Sequence, residues 1–145
     1  MLSAEVYGVF IAKTEFSASP VVVLRAEDGR ILPIYIGFAE AASIYSAINR
    51  LTPPRPMTHD LLIDILSKLE VQVERVVIDD LIDNTFYARI IVKRDEREIE
   101  IDARPSDSIA IALRISCPIF IDSKILDEAG REDVPSYFRD FAEFA

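Results

Sequence analysis

Apolar side chains along this chain switch between a period of two and a period near 3.6, and the switches mark its elements. Residues 3–13 and 20–26 are rich in Val, Ile and Phe, and a third run over 31–36 ends at Gly37; all three predict strands. Glu27-Asp28-Gly29-Arg30 is a hairpin signal, because Asp-Gly tolerates the positive φ of a type I′ turn. Ala41, Ile44, Tyr45 and Ile48 recur at i, i+3, i+4 and i+7, which predicts an amphipathic helix over 38–50. Thr52-Pro53-Pro54-Arg55-Pro56 ends it, since proline lacks the amide donor a helix interior needs. The next helix is predicted to start at Thr58 as N-cap, with Asp60 in its first turn and Met57 packing on Leu62 as a staple. Leu62, Ile65, Leu66 and Leu69 would form its buried stripe.

Residues 71–79, 85–94 and 97–103 predict three further strands, and the last two fix a register. With Asp95-Glu96 as the turn, Val92 faces Ile99, Ile90 faces Ile101 and Ala88 faces Ala103, while Lys93 meets Glu98, Arg89 meets Asp102 and Tyr87 meets Arg104. Apolar meets apolar and opposite charges meet, whereas a slip of one residue would mix the faces. A helix over 107–116, capped by Ser106 or Asp107, is apolar nearly all round and so is expected to be buried. A short strand over 118–122 and a short helix from Ser123 follow. Tyr137, Phe138, Phe141 and Phe144 give the end of the chain helical spacing. The expected fold is α+β: a single domain over 1–130 with a mixed, mainly antiparallel sheet and several packed helices. Residues 131–145 would form an amphipathic tail packed on the domain or on a partner subunit.

Composition narrows the setting. A chain of 145 residues, half of them hydrophobic, is long enough for one core without disulfides or a structural metal. No run of about 18 uncharged apolar residues occurs, so no membrane partner is expected. Met1-Leu2-Ser3-Ala4-Glu5 lacks the basic start of an export signal, which leads to a cytoplasmic expectation. The single cysteine, Cys117, reads as a bystander. Positive mean hydropathy and the aromatic tail together leave apolar surface to cover, and a homodimer is the expected solution. The net charge of −9 disfavours broad electrostatic capture of nucleic acid, which depends on Lys and Arg displacing counterions. It leaves room for local binding through a few arginines.

The candidate chemistry lies at two helix entries, Arg55-Pro56-Met57-Thr58-His59-Asp60 and Arg104-Pro105-Ser106-Asp107. His59, the only histidine, belongs to the residue type whose unperturbed pKa lies near neutrality, which suits proton transfer; beside Asp60 it could equally ligate a metal. Arginines and helix N-termini both favour anionic oxygens, so Arg55 and Arg104, with the hydroxyls of Thr58 and Ser106, are candidate contacts to a phosphate. Asp60 and Asp107 are candidate catalytic carboxylates and candidate ligands of Mg²⁺ or Mn²⁺, with Asp102 and Glu40 as further donors. The competing account is structural: first-turn carboxylates complement the helix dipole, and the arginines are solvated or paired. Gly-rich phosphate loops, Cys/His zinc patterns and the Gly-x-Ser-x-Gly elbow do not occur, which disfavours nucleotide-triphosphate and acyl-hydrolase chemistry.

At these residues the chain resembles a known family. Leu32-Pro33-Ile34-Tyr35-Ile36-Gly37, Arg55 to Leu62, Asp83-Asn84-Thr85-Phe86-Tyr87-Ala88 and Arg104 to Ala110 are similar, in order and spacing, to the bifunctional nuclease domain family. The likeness spans about residues 5–125, with Met57 where leucine is usual, and leaves out the tail after about residue 130. It implies a small mixed α/β domain, a dimer, and nuclease activity on RNA and DNA in at least some members. The resulting expectation is a metal-assisted nuclease preferring single-stranded RNA or DNA. In it Arg55 and Arg104 clamp phosphate, Asp60 and Asp107 hold the ion, and His59 acts as base or ligand. The alternative is a non-catalytic dimeric regulatory or binding module of the same fold.

Overall fold

The computed structural model describes residues 1–144. Three strands open the chain, β1 (Leu2–Lys13), β2 (Ala18–Ala26) and β3 (Ile31–Tyr35), and two helices follow, α1 (Phe38–Ile48) and α2 (Thr58–Lys68). Next come β4 (Gln72–Ile82), β5 (Thr85–Arg94), β6 (Arg97–Ala103), α3 (Pro105–Ile115), β7 (Ile119–Ile121), α4 (Ser123–Ala129) and β8 (Phe138–Asp140). The strands form one sheet in the order β3-β2-β1-β7-β4-β5-β6, with β8 also on β1. Among the described residues only β4 and β7 pair in parallel; the other strand pairings are antiparallel. The α+β expectation holds.

The long strand β1 organises the sheet. One of its edges carries β2 along its length, while the other is divided between β7 at residues 2–4 and β8 at residues 10–12. Ile11, Val22, Leu24, Ile34, Val76, Ile78, Ile90 and Val92 supply the sheet side of the main core, and Ile44 of α1, Ile109 and Ile111 of α3 and Ile125 of α4 pack into it. Val21, Val23, Ile31 and Phe138 make a smaller cluster. Alternation within β2, Val22 and Leu24 to one cluster and Val21 and Val23 to the other, follows from successive side chains pointing to opposite faces.

The β5–β6 register is as the charge and hydropathy pattern requires, from Ala88 opposite Ala103 to Lys93 opposite Glu98. Its polar partners are diagonal rather than directly opposite: Arg89 pairs with Asp79 and Glu100, and Glu98 with Arg75. The ladder stops before Tyr87 and Arg104. Type I′ geometry occurs at Asp83-Asn84 (φ 50° and 63°) and Asp95-Glu96 (φ 49° and 66°). At the Asp28-Gly29 turn only Gly29 takes a positive φ, 93°, so the expected two-residue I′ hairpin is replaced by a longer loop closed by Ala26 N–H to the Arg30 carbonyl.

Three further expectations are corrected. Helix α2 buries none of its residues, and Leu62, Ile65 and Leu69 lie exposed; the apolar stripe exists but none of the described residues covers it. Beneath α2, Ile63 and Leu66 line a cavity of about 590 Å³ with Val71, Val73 and Ile115. Helix α3 begins earlier than predicted, with Arg104 as N-cap and Pro105 inside the first turn, where the missing amide costs no hydrogen bond; Ser106 and Asp107 are therefore helical residues, not caps. The aromatic tail is β8 followed by a 3₁₀ turn at Phe141–Glu143. Its rings at 138 and 141 are buried, the latter against Tyr45 at 5.4 Å between centroids. Among the described residues no helix is long and apolar enough to cross a membrane.

Candidate active site

Helix α2 meets the rest of the domain through side chains at its first turn. Thr58 is exposed and opens the helix, while Met57 holds the N-cap position without a side-chain bond. The amide of Met57 donates instead to Asp60 Oδ2 at 3.0 Å, so the predicted Thr58 cap is replaced by a carboxylate reaching back one turn. The other oxygen of Asp60 accepts from Arg114 Nε at 2.9 Å. Arg114, in the last turn of α3, also donates from Nη1 to the Ala110 carbonyl at 3.0 Å and from Nη2 to the Ser43 carbonyl at 3.2 Å. One guanidinium thus ties α1, α2 and α3 together. It is nearly buried, at 13 % side-chain exposure, against 31 % for Asp60.

The Arg114 hydrogen bond, and then the Met57 amide, hold the Asp60 carboxyl below the usual carboxylate range. A lowered folded-state pKa contributes stability that is present above the unfolded value, about 3.9 for Asp, and is lost as pH falls through the folded value.

His59 lies one residue before Asp60 and points between α1 and α3. Its Nε2 is 2.9 Å from Asp107 Oδ1, and its Nδ1 is 2.6 Å from Ser43 Oγ. A carboxylate can only accept, so the partners assign the ring proton to Nε2 and leave Nδ1 to accept from the Ser43 hydroxyl. Asp107 Oδ2 is held in turn by Arg104, 3.1 Å from Nε and 3.0 Å from Nη2, and Arg104 Nη1 lies 3.7 Å from Glu40 Oε1. A polar chain therefore runs Ser43–His59–Asp107–Arg104–Glu40. It leads from a histidine only 11 % exposed to an arginine 65 % exposed.

Of the residues expected from sequence, His59, Asp107, Arg104 and Glu40 come together, and Asp60 sits beside them in the Arg114 clamp. Arg55 and Thr58 are exposed in and just after the proline-rich loop and take no part in this network. Asp102 lies on β6 and lines a different cavity with Asp79, Asp80, Arg89 and Lys124. Ser106 is buried at the start of α3 and lines a third cavity with Arg104 and Pro105. Ser43 and Arg114 were missed. The signal that finds them is helical spacing: Ser43 lies one turn after Glu40, and Arg114 two turns after Asp107.

The candidate carboxylates are already engaged in this arrangement. Both oxygens of Asp60 and both of Asp107 already accept from protein donors. Among the described residues no three His, Cys, Asp or Glu side chains are grouped closely enough to hold a metal. Mg²⁺ keeps several of its waters and takes one or two carboxylates, so an ion at Asp60 or Asp107 would have to displace one of these donors.

A model of the bifunctional nuclease domain matches residues 22–133. The chain belongs to the bifunctional nuclease domain family. The matched span contains every member of the polar chain and the Arg114 clamp, and leaves out β1 and β8, which complete the domain's sheet. Among similar proteins, an uncharacterized protein of Mycobacterium tuberculosis is 46 % identical over 112 residues, covering 77 % of this chain and 66 % of its own length. Bifunctional nuclease 2 of Oryza sativa subsp. japonica is 30 % identical over 125 residues, 83 % of this chain and 38 % of its own. Bifunctional nuclease 1 of the same plant is 28 % identical over 109 residues, 72 % and 33 % respectively. The chain therefore spans about two thirds of the mycobacterial relative and 33–38 % of the plant ones.

Proposed function

We propose that this chain is a nuclease that hydrolyses phosphodiester bonds of RNA and DNA, with a preference for accessible single strands. The observation that carries this reading is Asp107, which bridges His59 on one side and the solvent-facing Arg104 on the other. Arg104 offers its remaining N–H groups to a phosphate oxygen, the planar recognition for which arginine is suited. Asp107 fixes the imidazole and stabilises it when it gains charge. His59 Nδ1 takes the proton of an attacking water that displaces the Ser43 hydroxyl from it; the water oxygen bonds to phosphorus as the bond from phosphorus to the leaving oxygen breaks, and that oxygen departs with a proton from solvent. Arg55, on the loop before α2, is a second phosphate contact in this reading. With a net charge of −9, contacts to substrate are few and local, so affinity should depend only weakly on salt.

Purified protein incubated with labelled single-stranded RNA and DNA, with and without EDTA, tests the reading. Cleavage of both strands is expected. Its persistence in EDTA is expected from the engaged state of Asp60 and Asp107, whereas loss in EDTA would restore Mg²⁺ or Mn²⁺ as an assistant that displaces one of their present partners. No cleavage under either condition would favour the second reading, a non-catalytic dimeric regulatory module. One observation favours that module: both ring nitrogens of His59 are already bonded, as they would be in a purely structural tie.

We infer that the chain is a homodimer under either reading. Met57, Leu61, Leu62, Ile65 and Leu69 are all exposed on or beside α2, a contiguous helical stripe of a kind that marks an interaction surface. Ile65→Glu should shift the protein from dimer to monomer in light scattering without lowering its melting temperature as a core change would. A wild-type monomer at micromolar concentration would overturn the assignment.

A further inference from the structure

Two sequence motifs have no part in the polar chain, Leu32 to Gly37 and Asp83 to Ala88, yet the fold brings both to the start of α3. Ile34, Tyr35 and Ile36 at the end of β3, Asn84, Thr85 and Phe86 at the β4–β5 turn, and Arg104, Pro105 and Ser106 line one cavity of about 290 Å³. A second cavity, about 530 Å³, shares Tyr35, Asn84 and Phe86 with it and ends at Glu128 and Arg131. The two adjoin along a shared wall of Tyr35, Asn84 and Phe86, with Arg104 lining the one and Arg131 the other, and are together called the groove.

The groove is built rather than incidental. Asp83 and Asn84 accept the positive φ of a type I′ turn, 50° and 63°, which brings Asn84, Thr85 and Phe86 to its wall. Arg131 is fixed by two backbone hydrogen bonds with Ile31, both 2.8 Å. The ring of Tyr35 stands edge-on to Phe138 at 6.5 Å between centroids and is still 56 % exposed, so it is oriented yet presents a free face. Phe86 packs on the core from the opposite wall. The combined space lies within the range of ligand pockets, ~300–1,000 Å³.

We propose that this groove seats unstacked bases of a single-stranded nucleic acid, with Tyr35 and Phe86 as stacking surfaces and Arg104 and Arg131 on the flanking phosphates. The inference deepens the nuclease reading and rests on it for the link to Arg104, the residue shared by the groove and the polar chain. Aromatic faces between two cations suit single strands because every base has a face to stack while its phosphates stay outside. The Asn84 amide supplies both a donor and an acceptor to a base edge. A duplex keeps its bases stacked on one another and cannot use such a groove.

Fluorescence anisotropy with a labelled polypyrimidine strand carrying phosphorothioate linkages, which resist cleavage, reads binding apart from catalysis. Tyr35→Leu should weaken binding roughly ten-fold or more, the scale of one lost base–aromatic stack, and Tyr35→Phe should restore it. Arg131→Ala should weaken binding and make it less sensitive to salt. The duplex form of the same strand should bind no better than the Tyr35→Leu protein binds the single strand. Because Tyr35 is exposed, its variants should melt like wild type and keep the test readable if Phe86→Leu unfolds. Tyr35→Leu binding as tightly as wild type, equal binding of duplex and single strand, or no binding by wild type would each overturn the proposal. Ring-dependent binding without cleavage would leave the groove standing and remove the nuclease reading. Cleavage with a kcat/KM unchanged by Tyr35→Leu would do the reverse.

Discussion

Asp107→Asn should lower the cleavage rate by about two orders of magnitude or more, the usual contribution of positioned acid–base groups, while leaving the protein folded. An amide is nearly the size of the carboxylate, but it replaces one acceptor oxygen by a donor. If the amide nitrogen faces Arg104, the pair is broken; if it faces His59 Nε2, the ring proton moves to Nδ1 and the imidazole can no longer accept from Ser43. The first orientation keeps the tautomer but removes the charge that stabilises an imidazolium; the second also reverses the tautomer, a change known to be costly in serine-protease triads. The expected loss of stability is about 1–2 kcal/mol, the scale of a weakened hydrogen bond to a charged group. Asp107 is the acidic residue of the first turn of α3, so part of that loss is its favourable interaction with the helix dipole. Paired melting curves and single-turnover cleavage rates decide the matter: a variant that cuts as fast as wild type removes Asp107 from the chemistry.

Arg114→Leu should destabilise the fold by about 2–3 kcal/mol, somewhat below the ~3–5 kcal/mol of a broken fully buried pair because Asp60 retains 31 % exposure. The leucine keeps most of the packing volume but leaves the Asp60 carboxylate and the Ser43 carbonyl without their donor. Arg114→Lys should recover only part of the loss, since one ammonium cannot reach α1, α2 and α3 with the geometry of a guanidinium. Asp60 gives this prediction a pH signature. Its carboxyl is held low chiefly by Arg114, so the gap in stability between wild type and Arg114→Leu should be full above about pH 5 and narrow as pH falls below about 4. Urea denaturation of both proteins across that range measures it, and a gap that does not change with pH would show that the ion pair is not what the arginine contributes.

How far the sequence reveals such arrangements depends on how local their causes are. The β5–β6 register could be read directly because each cross-strand pair tests it, and the observed ladder has Ile90 opposite Ile101 and Val92 opposite Ile99. The amphipathic stripe of α2 could also be read, but periodicity only says that a face needs a cover, and Leu62, Ile65 and Leu69 find none within the chain. Four aromatic residues at helical spacing misled at the tail, where pairing of Phe138 to Asp140 with β1 outweighed a short helical pattern. At the site, the motifs announced His59, Asp107 and Arg104, while their convergence required the packing of α2 against α3. Ser43 and Arg114 sit inside regular helices, marked only by their helical spacing from Glu40 and Asp107. Their importance comes entirely from what faces them. As a hard oxygen donor Asp60 reads as a candidate metal ligand, and the position of Arg114 shows which cation it meets in the fold.

The attachment of α2 also divides the molecule unequally against heat. Its grip on the body is made of a few polar contacts at one end, above a hollow lined by Ile63 and Leu66, whereas the sheet and α3 share the continuous core. Elements with little buried apolar surface open at lower free energy than the core does. A brief excursion of this one helix would carry His59 away from Ser43 and Asp107 and leave the eight strands paired. In a single chain that open form would be nearly native by any measure of its sheet, and a second copy seated on the exposed stripe of α2 would hold His59 in place on warming.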